Sequence, residues 1–119
     1  MDNVTPFSPN DVELRILAAL LRAVVTADGR LTDRELEALA SIPHRAGVTE
    51  ARWKTLSAEA VKRYPNARLA EEAAVALARR PARELIYELL YDLARSDGFD
   101  DAEWDVLERL SEAWRQRHG

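Results

Sequence analysis

Ile16-Leu17-Ala18-Ala19-Leu20-Leu21-Arg22-Ala23-Val24-Val25-Thr26-Ala27-Asp28-Gly29 is the stretch on which the fold turns. Its apolar residues recur at helical spacing and cover more than one stripe, which predicts a helix buried on most sides and central to the core. Asp28-Gly29 then interrupts the pattern, and Thr32-Asp33-Arg34-Glu35 has the S/T-x-x-E form of a capping box that opens a second helix.

The same unit returns later in the chain. At an offset of 69, Leu85, Ile86, Leu89, Leu90, Leu93 and Ala94 fall on Ile16, Leu17, Leu20, Leu21, Val24 and Val25, and Asp97-Gly98 falls on Asp28-Gly29. Beyond the turn the offset drops to 68, matching Asp100, Glu103, Trp104, Leu107 and Leu110 with Thr32, Glu35, Leu36, Leu39 and Ile42. Spaced leucines alone are common to amphipathic hairpins, and glycine is the usual residue after a helix. The joint recurrence of turn, cap and glutamate makes the unit a repeat, helix then Asp-Gly turn then capped helix, related by a pseudo-twofold.

Between and around the two copies the punctuation is helical. The first helix starts near Asn10 or Asp11, and Ile42-Pro43 is expected to stop the second. Thr49 or Glu50 opens a third that ends before Pro65, an alanine-rich fourth spans about 66 to 80, and Pro81 suits the first turn of a fifth. A sixth carries Trp104, Val106, Leu107, Leu110 and Trp114. No strand-like alternation occurs, so the expected fold is all-α, a single-domain bundle of about six helices, with residues 1–10 as an irregular arm and 11–119 as the domain.

Composition narrows the function. The 119 residues suffice for one core without staples, and 47% hydrophobic with 32% charged residues suits compact helices. A net charge of -4 gives no global attraction for a phosphate backbone, so nucleic acid is not an expected partner. Zero cysteines exclude disulfides and thiolate sites. Nothing reads as a leader or a membrane span, and a cytoplasmic location is the default expectation.

The acidic turns admit two readings. Asp28 to Glu35 resembles the second half of a calcium-binding loop, but Val24 and Thr26 stand where earlier carboxylates belong, which argues against a standalone EF-hand. If the two turns converge at one end of the bundle, Asp28, Glu35, Asp97, Asp100 and Glu103 can pool oxygens for a hard divalent cation: calcium, magnesium or manganese. Equally, carboxylates in a first helical turn satisfy free N–H groups and complement the helix dipole with no metal present. The two roles are compatible.

With Ala27-Asp28-Gly29-Arg30-Leu31-Thr32-Asp33-Arg34-Glu35 in the first half and Ser96-Asp97-Gly98 to Glu103 in the second, the chain resembles the tellurite-resistance TerB-like family over about residues 12 to 112. The resemblance implies an all-helical, non-enzymatic module with a cation-binding acidic cluster, its motif falling on Asp28, Glu35, Asp97 and Glu103. It also implies a role in stress response, as sensor or scaffold, with a protein partner and an association with envelope complexes. The second turn departs from the family pattern, having six steps from Asp97 to Glu103 where the first has seven from Asp28 to Glu35.

Other candidates are weaker. His44 and His118 are the only imidazoles and do not form a pair, and neither a nucleophile elbow nor a phosphate loop occurs. The aromatics Trp53, Trp104 and Trp114 read mainly as core. Tyr87 and Tyr91 fall opposite Ala18 and Arg22 in the repeat, on a face that is not consistently apolar, and are the candidate partner-binding residues of a metal-independent adaptor. The run Arg79, Arg80, Arg83 reads as a solvated helix end favoured by the C-terminal dipole.

Overall fold

The computed structural model describes residues 8–26, 32–95 and 101–118. Six helices account for nearly all of them: α1 Asp11–Thr26, α2 Asp33–Ala46, α3 Glu50–Arg63, α4 Ala67–Val75, α5 Arg80–Arg95 and α6 Asp101–His118. No strand occurs among the described residues.

Helix α1 is the axis of the bundle, packing against α3, α4, α5 and α6. Its breadth of apolar positions explains this: Leu14, Ile16, Leu17, Leu20, Leu21 and Val24 are all buried. All but Leu14 join Ile42, Ile86, Leu89, Leu93, Leu107 and Leu110 in one cluster. A smaller cluster of Leu14, Ala46 and Leu56, flanked by Val48 and Trp53, closes the end where α1 and α3 begin.

The repeat is written into the helix boundaries. Helices α1 and α5 each have sixteen residues and are displaced by 69 at both ends, while the starts of α2 and α6 are displaced by 68. Buried Leu17, Leu20, Leu21 and Val24 correspond to buried Ile86, Leu89, Leu90 and Leu93.

Two boundaries differ from the sequence expectation. Helix α2 does not stop at Pro43 but runs on to Ala46. A proline costs about 3 kcal/mol in a helix interior. Here, however, it is buried and its carbonyl accepts the Val48 N–H at 2.9 Å, while the Gly47 N–H reaches His44 O at 3.1 Å. These two bonds form a Schellman closure, which needs a left-handed residue after the helix, and Gly47 supplies it with φ 78°. Thr49 then caps α3, its hydroxyl accepting the Arg52 N–H at 3.1 Å.

Helix α4 ends at Val75, well short of the expected residue 80. Pro81 has no N–H for the Leu77 carbonyl and would crowd it in a continuous helix. The chain instead turns, burying Leu77. Arg83 Nη1 donates to Leu77 O at 3.1 Å and Ala78 O at 3.3 Å, so carbonyls left by the break are satisfied. The arginine run therefore belongs to the entry of α5 and not to the C-terminal end of a helix.

Candidate functional site

The sequence points to the two acidic turns, and the structure describes the helices that carry them. Asp28, Asp97 and Asp100 lie outside the described residues. Glu35 and Glu103 fall in the first turns of α2 and α6, with their side chains outside the description. Among the described residues no group of three His, Asp or Glu side chains is arranged to hold a metal.

The opposite end of α1 and α5 is defined in detail. Asn10 caps α1, its Oδ1 accepting the Glu13 N–H at 2.8 Å while its own N–H donates to Glu13 Oε1 at 2.9 Å, a reciprocal capping box. Arg79, the residue before α5, donates through Nε to Glu13 Oε2 at 2.8 Å and through Nη2 to Glu13 Oε1 and Ser8 O. Glu13 is 3% exposed, the one buried charged residue among those described. Burial pushes its carboxyl up, but the Arg79 guanidinium and the Asn10 N–H together outweigh burial and hold it below the usual carboxylate range. This clasp fixes the starts of α1 and α5 side by side, 66 residues apart in sequence and invisible to pattern reading.

Tyr87 and Tyr91 lie along the seam of α5 and α6. Both are half-buried and pack against the core. Their rings stack at 6.4 Å between centroids, Tyr91 meets Trp104 edge-on at 6.3 Å, and the Arg95 guanidinium lies 5.9 Å from the Tyr91 centroid. Trp104, expected in the core, is 36% exposed. Its repeat counterpart Leu36 is 49% exposed, so the same register places an apolar side chain at the surface in both halves. Trp114 does pack inward, its indole N–H donating to Ala74 O at 2.8 Å and tying α6 to α4.

Two open depressions border these rings. One of about 1390 Å³ lies between α4 and α6 and includes Tyr87, Trp104 and Glu108. Another of about 480 Å³ follows the α5–α6 seam, with Arg80, Glu84, Tyr87, Glu88 and Trp114 in its walls. No described helix is long and apolar enough to cross a membrane.

Searches of curated proteins and of solved structures give no match. A family model does match, and it covers residues 15–118, both copies of the repeat and the helices between them. The chain belongs to the tellurite resistance protein TerB family.

Proposed function

We propose that this protein is a non-catalytic, tellurite-resistance-type module that binds a divalent cation through Asp28, Glu35, Asp97, Asp100 and Glu103 and presents its state to a protein partner. One observation carries the reading. Helices α1 and α5 have equal length, pack on one another, and are clasped at their starts by Glu13 and Arg79. Two such helices favour turns that leave from the same far end of the bundle, where carboxylates from both halves can share one ion. Calcium, magnesium and manganese suit an all-oxygen donor set, and the module acts in the cytoplasm, where membrane-associated complexes are within its reach.

Calorimetry with each of the three cations tests it, on the natural chain and on Asp28→Asn with Asp97→Asn. The natural chain is expected to bind saturably and the double variant at least tenfold more weakly. Absence of binding at millimolar cation defeats the cation site.

The aromatic seam favours a second reading, a metal-independent adaptor whose acidic turns only cap helices and whose partner docks over Tyr87 and Tyr91. It expects a melting temperature indifferent to chelator, since a ligand that binds only the folded state raises stability by mass action.

A further inference from the structure

The two halves treat one helix face differently. On α1 the face bearing Asp11, Arg15, Ala18 and Arg22 lies alongside α3: Asp11 pairs with Arg52, and Arg15 Nε donates to Glu59 Oε1 at 2.8 Å. Ala18 and Arg22 share a small apolar groove of about 230 Å³ with Trp53, Ser57 and Val61 of α3. The offset of 69 carries this face onto Arg80, Glu84, Tyr87 and Tyr91 of α5. There Arg80, Glu84 and Glu88 are exposed, the two tyrosines are half-buried, and a depression runs along the seam, with Ser111, Trp114 and Arg115 of α6 as its other wall.

The charges on the two faces are exchanged. Asp11 becomes Arg80 and Arg15 becomes Glu84, and these two now pair with each other at 3.0 Å. A solvent-exposed i,i+4 pair of this kind is weak and yields easily to a better partner. Small Ala18 has become Tyr87, the residue type that supplies large, rigid contact area at interfaces.

We propose that the Arg80–Glu84–Tyr87–Tyr91 face docks an amphipathic helix of a partner protein in the pose that α3 adopts on α1. The partner helix carries an acidic residue where α3 has Arg52 and a basic residue seven positions on, where α3 has Glu59. Its apolar stripe lies over Tyr87 and Tyr91. This rests on the protein-partner half of the reading above and is independent of the cation.

The probe is a synthetic, fluorescently labelled peptide of residues 49–64 with Arg52→Glu and Glu59→Arg, compared with the unaltered 49–64 peptide. Both are titrated against the full chain in chelator, so that loss of the cation site cannot affect the result. The charge-exchanged peptide is expected to bind at least tenfold more tightly, because two repulsive pairs become attractive. Tyr87→Ala with Tyr91→Ala weakens it at least tenfold. Arg80→Glu with Glu84→Arg, at exposed positions that leave the core intact, inverts the preference in favour of the unaltered peptide. No saturable binding up to millimolar peptide, equal affinity for the two peptides, or a preference unmoved by the Arg80/Glu84 exchange overturns the proposal.

Discussion

Replacing Glu13 by glutamine separates charge from shape at the clasp between α1 and α5. The amide still fits and can accept the Asn10 N–H, but the Arg79 guanidinium loses its counter-charge. A charge-assisted hydrogen bond contributes about 1.5–3 kcal/mol, and breaking a fully buried pair costs about 3–5 kcal/mol. Arg79 has 48% of its side chain exposed and can rehydrate, which places the expected loss at the lower end, about 2 kcal/mol. For a chain of this size that corresponds to a fall of about 8 °C in melting temperature. The pH dependence has a definite sign. Glu13 titrates below its unfolded value, so its stabilisation is complete above about pH 4.3 and is lost as pH falls through the lower folded value. Urea denaturation of both proteins from pH 7 to pH 3 reads this directly: the difference between them is about 2 kcal/mol at pH 7 and shrinks toward zero on acidification. A difference below about 0.5 kcal/mol at pH 7, the level of a neutral surface change, or one that grows as pH falls, refutes the assignment of the clasp.

Two further outcomes follow from the helix ends. Gly47→Ala meets no atom within 4 Å, so its cost is the left-handed backbone alone, about 1 kcal/mol by chemical denaturation. Trp114→Phe removes the donor to Ala74 O while keeping most of the ring, and about 1–2 kcal/mol of stability is expected to go with it in thermal melts.

What the sequence made legible is local. The apolar spacing of Leu17, Leu20, Leu21 and Val24, with its copy in α5, is enough to give the central helix and the repeat, because burial on most sides leaves no other way to read it. The caps at Thr49 and Asn66 are equally readable, since each satisfies an N–H three residues on. Pro43 misleads because it lacks only its own N–H: its carbonyl still accepts the Val48 N–H, and the helix closes at Gly47, past the proline. The end of α4 misleads for the opposite reason: Ala76 to Arg79 has the composition of a helix, and the burial of Leu77 and the pairing of Arg79 with Glu13 show why the chain turns there ahead of Pro81. As for the site, Tyr87 and Tyr91 are singled out by comparing the halves, whereas the role of Arg80 and Glu84 depends on where α3 lies. Helix α3 has no counterpart in the repeat, so self-comparison of the sequence is silent about it.

The sharing of one apolar cluster by α1, α5 and α6 bears on how the molecule is assembled. Each repeat unit lends its first helix to a common interior, so neither half owns a core that persists without the other. Residues that share this cluster, such as Leu20 and Leu89, are far apart along the chain, and closing so long a loop precedes most of the burial that rewards it. A cut in the exposed Pro65 connection would accordingly leave two sticky, mutually dependent fragments in place of two miniature domains.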